Sequence, residues 1–92
     1  MELEHVNGID KGNVLLFALS TCGWCKKVRI LLEDYGVEYD YIYVDLTSGD
    51  DRTEAVNALK EFNSAVSFPT LVINNKDVII GFEVENIKSL LG

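Results

Sequence analysis

Only two cysteines occur in this 92-residue chain, along with one proline, one tryptophan, one histidine and one methionine. Two thiols make at most one crosslink, so the chain is not a disulfide-built scaffold. Positive charge is also scarce. Eight Lys and Arg face 15 Asp and Glu, for a net charge of −7. Nucleic acid and acidic membrane surfaces need clustered cations, so neither is an expected partner. The excess acid serves solubility and steers toward basic protein surfaces. Long hydrophobic runs are absent too. The longest is Val14–Leu19, far below the roughly 20 residues that span a bilayer. The opening stretch MELEHVNGIDKGN has neither a basic n-region nor an apolar h-region, so it does not read as a secretory signal. The expected location is the cytoplasm, where a lasting structural disulfide is disfavoured and a transient catalytic one is not.

What is present suits one domain over residues 1–92, with a core from about residue 13 to residue 91. Hydrophobic residues make up 48% of the chain, an ordinary level for a globular domain. Residues 1–12 are polar, carry Gly8 and Gly12, and read as a lead-in with little structure. Asn13–Leu19 is dense enough for a strand buried on both faces. Val28, Leu31, Leu32 and Tyr35 follow at i, i+3, i+4 and i+7, one face of a helix that Gly36 ends. Tyr39–Asp45 is aromatic and β-branched and reads as a second strand. Ser48–Asp51 offers caps for a helix carrying Ala55, Val56, Leu59 and Phe62. Thr70–Ile73 and Val78–Ile80 form a hairpin around a polar turn. Gly81 breaks the chain before a last helix with Val84, Ile87, Leu90 and Leu91 on its apolar face. The order β-α-β-α-β-β-α predicts an α/β domain, a four-stranded mixed sheet flanked by helices. Its strand–helix–strand units imply parallel pairing and its hairpin an antiparallel edge.

Both cysteines lie in "FALSTCGWCKK", Phe17–Lys27. Cys22 follows a buried strand, and Cys25 falls in the first turn of a helix. Unpaired N–H groups and the positive end of the helix dipole stabilise a thiolate there, and the thiolate is the reactive form. Lys26 and Lys27 add positive charge nearby. The i, i+3 spacing brings Cys25 within bonding reach of Cys22. Cys22, at the open end, is the attacking thiol, and Cys25 is the resolving one. Three other readings compete with this one. A zinc site needs four ligands, and one C-x2-C supplies two. A pair of inert core cysteines is a second, although a loop-to-helix junction forces neither thiol inward. An iron–sulfur cluster held between two chains is a third. The sharpest rival is therefore a metal or cluster carrier using the same two thiols. Pro69, the only proline, opens the third strand in "SFPT". A Phe–Pro bond there is either cis, presenting the Phe68 backbone to an extended peptide, or a plain trans strand start.

The thiol motif after the first strand, the proline at the third and the glycine after the fourth together resemble the thioredoxin-fold superfamily. The short length makes the chain similar to glutaredoxins. The resemblance runs from about Asn13 to Leu91. It implies a cis Pro69, a thiol–disulfide oxidoreductase reducing protein or small-molecule disulfides through a Cys22–Cys25 cycle, no bound cofactor, no metal, and action as a monomer. It also implies substrate contacts at Trp24, Phe68, Pro69, Gly81 and Phe82. The departures bear on the electron donor. Glutaredoxins typically carry Cys-Pro-Tyr-Cys, whereas this chain has Cys22–Gly23–Trp24–Cys25. Those that bind glutathione place a lysine where this chain has Leu19, and a Gly-Gly where it has Gly81–Phe82. That pair resembles the small redoxins that serve ribonucleotide reductase and draw electrons from thioredoxin reductase. The expected partners are disulfide-bearing proteins and a reductase or small-thiol donor, with glutathione disfavoured by Leu19.

Overall fold

In the computed structural model, which describes residues 1–92, the strands are β1 (Glu4–Val6), β2 (Val14–Ala18), β3 (Tyr39–Tyr43), β4 (Thr70–Ile73) and β5 (Asp77–Ile80). The helices are α1 (Gly23–Asp34), α2 (Gly49–Phe62) and α3 (Val84–Leu91), and a 3-10 turn covers Val44–Leu46. β2 is central in a sheet ordered β1-β3-β2-β4-β5. Its six-residue apolar run is explained by burial on both faces. Val14, Leu16 and Ala18 join one hydrophobic cluster with Val28 and Leu32 of α1 and Ile87 and Leu91 of α3. Phe17 faces the other way, into a cluster with Ala55 and Leu59 of α2, Ile42 and Val72. The period-2 alternation of a strand thus feeds two cores and gives three layers, with α1 and α3 on one side and α2 on the other. No helix is long and apolar enough to cross a membrane.

The sheet has five strands, not four. The lead-in pairs Glu4–Val6 antiparallel to Tyr39–Tyr41, and Ile9 bridges to Val37. Glu4 and His5 are exposed at this sheet edge, so the segment has one inward residue, Val6, and no alternation to read. Gly8 is needed there: a Cβ would meet the Gly36 carbonyl oxygen at 2.5 Å. The second strand stops at Tyr43 rather than Asp45, because Val44 turns into the 3-10 segment. Gly36 ends α1 with φ +69°, as its position predicts.

The pairing also differs at β4. β2 and β3 are parallel as expected, but β4 runs antiparallel to β2, with Thr70 opposite Phe17. Buried Asn63, just past the end of α2, marks the turn into this strand. Its Nδ2 donates to Ser67 Oγ and Thr70 Oγ1, both at 2.9 Å. This clasp ties the end of the helix to the start of β4, at the end of the sheet where β2 finishes. The strand is then sent back against it. Its consequence for the site is that Pro69 stands just ahead of Thr70, which pairs with Phe17 near the end of β2.

β1 is pinned by a titratable contact. His5 Nδ1 lies 2.6 Å from Asp40 Oδ1, and Nε2 lies 3.6 Å from Glu38 Oε2. The hydrogen bond to Asp40 raises the His5 pKa above its usual value of about 6.5. A raised pKa makes this contribution complete below about pH 6.5 and lost as pH climbs through the raised value. The amide resonances of Glu4–Val6 should therefore move as pH climbs from about 6.5 through the raised value. A His5→Gln variant, titrated by NMR over the same range, should abolish the movement.

Candidate active site

α1 opens on a sulfur. Cys22 is its N-cap, with extended backbone (φ −89°, ψ 113°), and its Sγ accepts the N–H of Cys25 at 3.1 Å. N-caps are usually Ser, Thr, Asp or Asn, whose oxygens take up a first-turn donor; here the thiol does so. The Cys22 carbonyl accepts the N–H of Lys26 at 3.1 Å. A second contact fixes the approach to this cap. Ser20 donates its N–H and Oγ–H to the two oxygens of Asp45, at 2.8 and 2.5 Å. Those bonds hold the Asp45 carboxyl below its usual range.

The two thiols are free and sit in different surroundings. Cys22 is half-buried at the protein surface. Cys25 is 1% exposed and belongs to the α1–α3 core. This corrects the sequence expectation that neither thiol is drawn inward. The helix starts at Gly23, so Gly23, Trp24 and Cys25 all lie in its first turn, and Cys25 joins the core cluster with residues of β2 and α3. Burial pushes the Cys25 thiol up to about 12, and its hydrogen bond with Cys22 adds to the rise.

Trp24, Phe68, Pro69, Gly81 and Phe82 come from three distant parts of the chain, and together they line one groove of about 280 Å³. Trp24 stays 57% exposed and packs on Phe82, with ring centroids 5.8 Å apart. Lys27 Nζ sits 4.4 Å from the centroid of the Trp24 ring, so this lysine caps the aromatic pair. The Phe68–Pro69 peptide is cis. The Pro69 carbonyl accepts the Gly81 N–H at 2.9 Å, whereas Phe68 contributes neither its N–H nor its C=O to the backbone hydrogen bonds of the fold. A second cavity, about 320 Å³, lies against Cys22 and is lined by Leu19–Gly23, Lys26, Arg29 and Tyr43. Sequence reading passed over Arg29, Tyr43 and Asp45. The helical offset of Cys22, Lys26 and Arg29 was the available signal for the first; the other two are brought in by β3 from a distance.

A family model described as Glutaredoxin matches residues 14–78, which hold β2 to β4, the first two residues of β5 and both cysteines. The chain belongs to the glutaredoxin family. Among solved structures, the glutaredoxin from Methanosarcina mazei Go1 superposes with a TM-score of 0.90 at 48% identity, covering 98% of this chain and 87% of that one. Methanoredoxin from Methanosarcina acetivorans gives 0.88 at 42% identity, over 92% of this chain and 90% of that one. The Gene 56 protein of Mycobacterium phage D29 is 30% identical over 85% of this chain and 81% of its own length. This glutaredoxin thus has the thioredoxin-like fold that its motifs predict, and family and fold together support thiol–disulfide oxidoreductase chemistry.

The contrast between its thiols is directly measurable. In single-cysteine variants at mild alkaline pH, Cys22 should be alkylated on the order of a hundredfold faster than Cys25, because burial keeps Cys25 a protonated thiol. Iodoacetamide labelling followed by mass spectrometry over a pH series gives both rates. Equal rates would show that Cys25 is not held in the core.

Proposed function

We propose that the protein reduces disulfides of proteins or small molecules by a two-step exchange at Cys22 and Cys25. The reading is carried by the difference between an accessible sulfur at the helix N-terminus and a buried one a single turn further in. Cys22, as thiolate, attacks one sulfur of the substrate disulfide. A Cys22–substrate bond forms, the substrate S–S bond breaks, and the first substrate thiolate departs and takes up a proton. Cys25 then attacks Cys22 Sγ. The Cys22–Cys25 disulfide forms, and the proton of Cys25 ends on the second departing substrate sulfur. Two electrons have passed to the substrate, and a donor thiol or reductase returns them. The high pKa of Cys25 suits its part: it stays protonated and out of competition until the mixed disulfide is beside it. The Trp24–Phe82 groove holds the chain on either side of the substrate disulfide, with the unbonded N–H and C=O of Phe68 as its main-chain partners. All of these groups come from one chain, which supports action as a monomer, and the cycle suits a thiol-reducing compartment such as the cytoplasm.

Cys25→Ser should accumulate mixed disulfides with substrate proteins, and Cys22→Ser should not, because only the attacking thiol becomes attached. Non-reducing gels of each variant after incubation with a disulfide-bearing protein test this. Adducts on the Cys22→Ser variant would reverse the roles.

The donor follows from position 19. A carboxylate bound where Leu19 stands lacks a charge-assisted contact of about 1.5–3 kcal/mol, which is roughly ten- to a hundredfold in affinity. Phe82 also puts a ring beside the groove. Turnover of a common disulfide should therefore be slower with glutathione and its reductase than with a dithiol reductase and its nicotinamide cofactor. Saturable turnover with glutathione at the higher rate would overturn the expectation.

A further inference from the structure

β2 and β3 run parallel, and Ala18 opposite Tyr43 is the last rung between them. Two residues beyond it on each segment stand Ser20 and Asp45, and there a side chain takes over from the ladder. Asp45 accepts the Ser20 N–H at 2.8 Å on one carboxylate oxygen and the Ser20 Oγ–H at 2.5 Å on the other. Ser20 is a middle residue of the turn that the Cys22 N–H closes on the Leu19 carbonyl, at 3.2 Å. The last residue of that turn is the cap of α1. Whatever fixes Ser20 therefore fixes how Cys22 enters the helix.

Asp45 is itself anchored from behind. Its backbone carbonyl accepts Arg52 Nη2 of α2 at 3.0 Å, and Thr47 Oγ1 donates to the Val44 carbonyl at 2.6 Å across the 3-10 turn that carries it. Its carboxylate enters no ion pair of the fold. Arg29, the one arginine of α1, is engaged elsewhere. Its Nε and Nη1 donate to the hydroxyls of Tyr39 and Tyr43 at 3.0 and 2.7 Å, and its guanidinium lies 3.8 Å from the centroid of the Tyr41 ring. Ser20 is thus the partner of the Asp45 carboxylate.

We propose that Asp45 is a positioning residue for the exchange at Cys22: through Ser20 it keeps the sulfur on the Cys25 N–H, where the helix start stabilises a thiolate. The inference rests on the oxidoreductase reading above and adds a residue to the same site. Asp45 touches neither sulfur and exchanges no proton, and the bonds made and broken are those of the Cys22–Cys25 cycle. Position and charge act here with opposite signs. A nearby carboxylate disfavours a thiolate by its charge. A carboxylate that holds the sulfur at a helix N-terminus favours one. Removing the side chain therefore slows Cys22 if Asp45 acts by position and quickens it if Asp45 acts by charge.

The test compares the reduced full-length protein with Asp45→Ala, Asp45→Asn and Ser20→Ala at one fixed pH. Iodoacetamide labelling located by mass spectrometry gives the rate at Cys22, and amide hydrogen exchange gives the protection of the Cys25 N–H. Asp45→Ala should label about three- to tenfold more slowly, the worth of a weakened hydrogen bond, and should lose protection at Cys25. Asp45→Asn should keep both at the level of the unchanged chain or above, because an amide still accepts the Ser20 N–H and can donate to its hydroxyl. Ser20→Ala should be slowed, and adding it to Asp45→Ala should slow that variant no further. Reduction of bis(2-hydroxyethyl) disulfide should fall by the same factors. If Asp45→Ala does not fold, Ser20→Ala against Asp45→Asn decides: the first slower and the second not. Faster labelling in both Asp45 variants, equal slowing in both, or unchanged rates in all folded variants overturns the inference. A chain that reduces no disulfide while its labelling follows the expected order overturns the oxidoreductase reading and leaves the placing of the sulfur by Asp45 standing.

Discussion

The hydrogen bond from the Cys25 N–H to Cys22 Sγ is the contact around which the site is arranged. It makes the accessible thiol the cap of α1, so this sulfur and the helix start are one structure. A sulfur in that place sees the donor ends of the first turn whenever it carries charge. The same turn fixes the second thiol, because the residue donating to the sulfur is the one whose side chain enters the core. The chain approaching the cap is held by Ser20 on Asp45, and the chain passing beside it by Asn63 on Thr70. Neither clasp touches the thiols, yet each delivers a backbone segment to them.

The elements legible in the sequence were those with a strong period and a local stop. β2 showed itself as an apolar run, α1 by Val28, Leu31 and Leu32 followed by Gly36, and the β4–β5 hairpin by its flanking apolar residues. β1 was not legible. An edge strand of three residues buries one side chain, and its partner Tyr39–Tyr41 is distant in the chain. The antiparallel run of β4 was also hidden, because pairing direction depends on which end of the sheet α2 returns the chain to. A strand–helix–strand pattern carries no mark of it.

At the site, Cys22 and Cys25 were legible because spacing and helix position are local properties. The residues of the aromatic groove were legible through the family resemblance rather than from pattern, and the structure gathers all five into one groove. The burial of Cys25 was not foreseen. Gly23 and Trp24 read as a loop-to-helix junction, whereas both are helical and Cys25, the third residue of α1, packs into the core cluster. Arg29 has no local mark in the sequence that sets it apart from other charged residues. Only the three tyrosines of β3, alternating with acidic and apolar neighbours, reveal that it is held.

Trp24 is the chain's one indole, and it sits two residues from Cys22, mostly in solvent, with Phe82 on one face and a lysine amine over its ring. Light absorbed at the red edge of the ultraviolet therefore excites a single site. That site lies in the groove with Phe68, Pro69 and Phe82, two residues along the chain from Cys22. The emission of this protein has no background from elsewhere in the fold, so the chain carries its own optical probe of whatever occupies or oxidises the neighbouring sulfurs.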